Sequence, residues 1–169
     1  MASFKTIIGY TPGVIGRVSE LHAMYYSENW NFGHFFEGKV ATELSKFIID
    51  YDCSHDRTWS LVADGTIEGS ITVDGSSEKE NIAHLRWFII SERLRGKGAG
   101  NFLMKQALSF CKDVEFKSIY LWTFQGLSPA RHIYEKFGFQ LVEEQPGDQW
   151  GATVVEQRFE LILSKANVL

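Results

Sequence analysis

The chain reads as an α/β (α+β) protein built on a mixed sheet flanked by helices, and three observations predict this. Asp64-Gly65 joins two strand-like runs, a strong hairpin signal. The nearly unbroken apolar run from Ile82 to Ile90 is followed by a glycine turn, an amphipathic helix and another strand, which is the pattern of a parallel crossover. A final run, Thr153 to Leu163, sets Val155, Phe159, Leu161 and Leu163 against Glu156, Arg158 and Glu160 at a period of two.

In chain order, a short strand at Lys5 to Gly9 leads into Thr11-Pro12, a helix-opening pair. Val14, Val18, Leu21 and Tyr25 then recur at helical spacing. Phe36, Val40, Leu44, Phe47 and Ile48 mark a second helix, with Ser27 to Gly33 between the two as a turn-rich loop. The hairpin strands are Thr58 to Ala63 and Ile67 to Val73, and Asp74 to Asn81 is a polar loop. Ile82 to Ile90 is expected to be a central strand covered on both faces. Ala99, Leu103, Ala107 and Cys111 define one helix face, and Ser118 to Phe124 the next strand. Ala130, Ile133, Tyr134 and Phe137 give a short helix that Gly138 should stop, and a strand resumes at Phe139 to Glu143. The predicted order is β-α-α-β-β-β-α-β-α-β-β.

Composition narrows the function classes. A chain of 169 residues with 44% apolar and 22% charged residues suits one domain spanning 1–169. The net charge of −4 argues against a nucleic-acid partner. No run reaches membrane-spanning length and the N-terminus lacks the apolar stretch of a signal peptide, so a cytoplasmic protein without a membrane partner is expected. Cys53 and Cys111 form neither a metal signature nor a disulfide framework, and no metal is expected.

The segment Arg95-Gly96-Lys97-Gly98-Ala99-Gly100 carries the chemistry. Its glycines let backbone N–H groups converge, and the helix behind it adds the positive end of its dipole. Together they form a seat for phosphate oxygens. Arg93, Arg95 and Lys97 reverse the local charge sign of an acidic chain. Gly98 follows Lys97, so a Walker A loop is excluded. Asn101 stands where a dinucleotide fingerprint needs its third glycine. Arg-x-x-Gly-x-Gly is met by Arg95, Gly98 and Gly100.

Two stretches resemble the GNAT superfamily of acetyl-CoA-dependent N-acetyltransferases. Residues Trp87 to Leu103 are similar to its coenzyme-binding strand, loop and helix, and Ala130 to Phe139 to its Ala-x-x-φ-Tyr-x-x-x-Gly-Phe segment, where φ is apolar. Leu121 to Leu127, Gln149-Trp150-Gly151 and Glu156-Gln157 further resemble the acetyltransferase domains fused to MarR-type regulators. The resemblance implies a mostly antiparallel seven-stranded sheet whose central parallel pair splays apart, with acetyl-CoA as co-substrate. It implies main-chain contacts from Phe88, Ile89 and Ile90 to the pantetheine arm. The diphosphate would lie on Arg95, Gly96, Lys97, Gly98, Ala99, Gly100 and Asn101. Arg131 would reach either the coenzyme or solvent. Many members carry Asn where this chain has Leu127, and Ser128 replaces it only in part.

By the same resemblance Tyr134 is the general acid that protonates the departing thiolate; outside that motif it would read as a core tyrosine on an amphipathic helix. His84 and Arg86 share the alternation parity of Phe88 and Ile90, which makes His84 a candidate base, against a solvated histidine at the strand's entry. Tyr25, Tyr26, Trp30, Trp122, Phe124 and Trp150 are candidates for the acceptor side, each equally at home in a core. Glu143, Glu144 and Asp148 could attract a cationic amine or simply be solvated. The expected function is acetyl transfer to a primary amine of a small or amino-acid-like acceptor. The alternatives are a protein or peptide N-terminal acetyltransferase and a non-catalytic acyl-CoA sensor. A homodimer is the protein partner left open.

Overall fold

A computed structural model describes residues 3–76 and 81–163. Seven strands form one sheet: β1 Lys5–Ile8, β2 Arg57–Ala63, β3 Thr66–Asp74, β4 Ile82–Ile90, β5 Ser118–Phe124, β6 Gln140–Gly147 and β7 Val154–Ile162. The helices are α1 Val14–Trp30, α2 His34–Ile49, α3 Ala99–Asp113 and α4 Ser128–Lys136. The spatial order is β1-β2-β3-β4-β5-β7-β6, antiparallel throughout except for the parallel pair β4–β5. This is the predicted element order and fold class. Of the polar loop expected at 74–81, residues 77–80 lie outside the described residues.

Two apolar clusters cover the sheet. Leu103, Met104, Ala107 and Cys111 of α3 pack with Trp59, Leu61, Ile71, Val73, Ala83 and Leu85. Val14, Val18, Val40, Leu44 and Phe47 of α1 and α2 pack with Ile67, Trp87 and Phe124. The hairpin turns through Asp64 and Gly65, both at positive φ (47° and 78°), as a two-residue Asp-Gly loop should.

Helix α1 runs further than the sequence suggests and takes in residues expected as loop. Asn31, at φ 55°, ends it in a left-handed cap whose N–H bonds the Ser27 carbonyl, and the Phe32 N–H reaches the Tyr26 carbonyl. Ser, Asn and Trp are weak helix formers, but Trp30 gains an edge-on contact with Phe124 at 4.8 Å. Tertiary packing overrides propensity here. The helix also buries His22 and Ser19 beside Val14 and Val18, whereas the predicted Leu21 and Tyr25 are only partly covered.

Strand β4 is central, but its alternation is broken once. Gly69 and Ser70 oppose Ile90 and Ile89, whereas Thr72 and Val73 oppose Arg86 and Leu85, so β4 carries one extra residue opposite Ile71. Trp87 absorbs it at φ 47°. This bulge corrects the parity expected above. Phe88 and Ile90 join Ala83 and Leu85 on the α3 side, while Arg86 and Trp87 both face α2, through Glu43 and Phe47. A bulge places two consecutive residues on one face, which simple alternation cannot foresee.

Candidate active site

The site lies where β4 and β5 part. Their parallel ladder holds only at Ile82–Ser118, Ala83–Ile119 and His84–Tyr120. Beyond it, β5 stays with β7 and β4 with β3. At the fork the His84 ring stacks on Tyr120 (4.3 Å, 13°), and the Arg158 guanidinium lies 4.4 Å from the Tyr120 ring centre. Past that stack, the β5-facing backbone of residues 85–90 has no ladder partner.

Two cavities open around this gap. One, of about 440 Å³, is lined by Phe88, Ile89, Ile90, Arg95, Gly96, Gly98, Ala99, Gly100 and Asn101, with Pro129, Ala130 and Ile133 of α4 opposite. At its phosphate-seat end, Gly98 takes φ 80°, a left-handed conformation that starts α3 with no side-chain cap. The first intrahelical bond runs from the Phe102 N–H to the Gly98 carbonyl, so the N–H groups of Gly98 to Asn101 have no partner within the helix. Gly96 and Gly98 line the cavity without a side chain, the space where a Cβ would stand is open at both, and Arg95 lines the cavity beside them. The arrangement fits an anionic diphosphate.

Lys97, Ser128 and Arg131 do not line this cavity. The Lys97 ammonium donates to the Arg93 carbonyl (2.7 Å), and Arg131 Nε donates to Glu135 across one helical turn (2.8 Å). Ser128 opens α4. Leu127, in the place of the missing Asn, is buried and forms an apolar wall shared by both cavities. Arg95 Nε donates to the Ile90 carbonyl at 3.1 Å, and its guanidinium sits 4.8 Å over Tyr25.

The second cavity, of about 370 Å³, is walled by Tyr26, Phe36, Trp87, Trp122, Phe124 and Trp150. Its polar groups include His22, Lys39, Glu43, His84, Arg86, Thr123 and Gln149. Arg86 is held between Glu43 (2.5 Å) and Asp74 (3.1 Å), and Lys39 takes the other oxygen of Glu43. Glu43 is therefore a neutralised carboxylate. Glu143, Glu144 and Asp148 are not part of the lining; Glu144 accepts from Gln157 on the far hairpin. The buried Glu156 carboxylate accepts the Gln149 N–H at 2.9 Å and so holds the loop that brings Gln149 and Trp150 to the cavity. Burial, aided by the charge of Arg86, lowers the His84 pKa to about 3, so its imidazole is neutral and a weak base.

The two cavities meet at Tyr26, Phe88 and Leu127, and Tyr134 lines the aromatic one. Tyr134 is 7% exposed, ringed by Phe88, Phe139 and Phe159 at centroid distances of 6.3, 6.1 and 5.9 Å. Its place is set by the end of α4. The Phe139 N–H bonds the Tyr134 carbonyl and the Gly138 N–H bonds the Glu135 carbonyl, a Schellman closure with Gly138 at φ 94°. That closure is the physical content of the Tyr-x-x-x-Gly-Phe spacing. Burial alone raises the phenol pKa, so the hydroxyl stays protonated through the neutral range.

Sequence reasoning did not single out His22, Lys39 or Glu43. His22 carried a signal, since it continues the Val14, Val18 series at four-residue spacing. The two helix-α2 residues carried none, because a surface ion pair at that spacing looks the same. Cys111 is buried, its thiol pushed up to about 12, and Cys53 is exposed; neither lines a cavity. Among the described residues no group of three His, Cys, Asp or Glu side chains could hold a metal ion, and no helix is long and apolar enough to cross a membrane.

Comparison with known proteins agrees with this geometry. No curated protein sequence matches the chain. Among solved structures, a GNAT-family acetyltransferase from Staphylococcus aureus Mu50 superposes with a TM-score of 0.76 at 17% identity, covering 96% of this chain and 100% of its own. The yncA protein of Salmonella typhimurium, solved with its cofactor acetyl-CoA, superposes at 0.73 with 10% identity, covering 99% and 98%. A ribosomal-protein-alanine N-acetyltransferase from Brucella melitensis gives 0.73 at 11% identity, covering 93% and 99%. These likenesses show the fold. The profile of the acetyltransferase (GNAT) family matches residues 16–139, a span that includes the forked strands, the glycine loop and Tyr134, and the chain therefore belongs to that family of acetyl-CoA-dependent enzymes.

Proposed function

We propose that the chain moves an acetyl group directly onto the primary amine of a small or amino-acid-like acceptor seated in the aromatic cavity. The observation that carries this reading is the meeting of a phosphate-seat cavity and an aromatic cavity beside a protonated, buried tyrosine. Acetyl-CoA, when bound, supplies the acyl thioester. The N–H groups of Gly98, Ala99, Gly100 and Asn101 would hold its diphosphate, with Arg95 at the edge. Lys97, Ser128 and Arg131 lie off the cavity's lining and are assigned no contact with it.

Phe88, Ile89 and Ile90 line the phosphate-seat cavity, and those of their main-chain groups that face the gap left by β5 would meet the pantetheine amides, in the manner of an added strand. One such N–H would also polarise the thioester carbonyl. Tyr134 would donate its proton to the sulfur as the carbon–sulfur bond breaks, while the amine nitrogen bonds to the carbonyl carbon and its proton leaves to water. The aromatic walls and the neutralised Glu43 favour an apolar or flat amine over a polycation.

Calorimetry with coenzyme A, followed by thiol release from acetyl-CoA across small amines, amino acids and peptides, tests the reading. Turnover on the small amines is expected. Turnover confined to peptide N-termini would make the chain a protein acetyltransferase, and binding without turnover would make it a sensor.

A further inference from the structure

His22 sits on the buried face of α1, 5% exposed, and lines the aromatic cavity next to Tyr26, with which it stacks at 6.2 Å and 10°. Its Nδ1 lies 2.8 Å from the Val18 carbonyl oxygen. A carbonyl can only accept, so Nδ1 carries the hydrogen and Nε2 is left with its lone pair. Among the described residues Nε2 has no protein donor. Nor is it one of the fully enclosed, unpartnered side-chain N and O atoms among the described residues, which are Arg57 Nε, Ser60 Oγ, Ser91 Oγ and Arg158 Nε. A buried ring at a cavity wall, with one nitrogen spoken for and the other neither partnered nor sealed in, turns that second nitrogen toward the cavity.

We propose that His22 is a positioning residue for the acceptor, its Nε2 accepting a hydrogen bond from an N–H of the bound amine. This rests on the acetyltransferase reading of the cavity and adds a requirement to it. The acceptor must present an N–H donor to the α1 wall while its nitrogen faces the junction at Phe88. Burial keeps the imidazole neutral, with a pKa lowered to about 4, so the lone pair is available at neutral pH. Of the cavity's charged groups none takes this part: Lys39 and Arg86 only donate, and Glu43 is already shared between them.

The test uses tryptamine, 2-phenylethylamine, L-phenylalanine and L-tryptophan as probes with the full chain. His22→Phe keeps a flat ring against Tyr26 and removes the lone pair. Its acceptor KM should rise about tenfold, the scale of one net hydrogen bond, with the acetyl-CoA KM unchanged. His22→Gln, whose amide oxygen can stand near the Nε2 position, should recover most of the loss. In the wild-type imidazole ¹⁵N spectrum, Nε2 should read as unprotonated at neutral pH and shift when the amine is added. An acceptor KM within twofold of wild type in His22→Phe, or an Nε2 that is protonated or unmoved by saturating amine, overturns the proposal while leaving the transferase reading intact. Failure of the wild type to bind coenzyme A would remove both.

Discussion

Replacing Tyr134 by Phe removes one oxygen and leaves everything that holds the ring. The contacts with Phe88, Phe139 and Phe159 are ring contacts, and the backbone closure through Gly138 does not involve the side chain. Burial holds the hydroxyl's proton in place by raising its pKa. The hydroxyl has no protein partner among the described residues and is not one of the fully enclosed polar atoms, so its removal breaks no hydrogen bond and should leave the stability of the fold nearly unchanged. At ~2–4 °C per kcal/mol for a chain of this size, Tm should stay within a few degrees of wild type. Catalysis should respond differently. A positioned general acid contributes roughly 10²- to 10⁴-fold, equivalent to about 3–5 kcal/mol of barrier. Steady-state thiol release should therefore show kcat falling by at least ~100-fold with the acetyl-CoA KM unchanged, since the diphosphate seat lies on another element. In the wild type, ionisation of this phenol should not depress kcat below pH ~10, the ordinary tyrosine value, because its pKa is raised. A variant within about threefold of wild-type kcat would be too active for the acid role. A parallel rise in acetyl-CoA KM would move Tyr134 from chemistry to binding.

Two further outcomes follow from the same geometry. Gly98→Ala meets no atom within 4 Å, but it forces an L side chain into φ 80° and sets a methyl over the phosphate seat. A stability loss of ~1–2 kcal/mol is expected in thermal melts, with coenzyme A affinity down by more than about tenfold in calorimetry; unchanged affinity would place the diphosphate elsewhere. The two cavity histidines should make the fold acid-sensitive. Both have folded-state pKa values lowered by burial, from 6.5 to about 4 for His22 and about 3 for His84. The unfolded chain therefore takes up their protons first, and stability drains away as pH falls below 6.5 toward those values. His22 alone accounts for about 3 kcal/mol at ~1.4 kcal/mol per pH unit, so urea midpoints should drop between pH 7 and pH ~4.5. His22→Phe should flatten that decline, and an identical decline in the variant would mean that His22 is charged in the folded state.

What could be read along the chain is what the backbone decides within a few residues. The Asp64-Gly65 turn, the left-handed start of α3 at Gly98 and the Schellman end of α4 at Gly138 each depend on a local φ that few residues adopt, so the residue type announces the geometry. With them came the element order, the glycine turn ahead of α3 and the place of Tyr134 at the end of α4, because each of these hangs on such a punctuation mark. Length of α1, the phase of its buried face and the true face of His84 and Arg86 did not come with them. Those answer to partners remote in sequence: Phe124 against Trp30, Ile67 and Trp87 against the Val14 and Val18 face of α1, Ile71 opposite the bulge at Trp87. The aromatic cavity is the extreme case. Its walls come from α1, α2, β4, β5 and the loop held by Glu156, and the ladder between β4 and β5 must stop at His84 and Tyr120 for it to exist. A short motif can encode a turn, but a void between strands is encoded only by everything that declines to fill it.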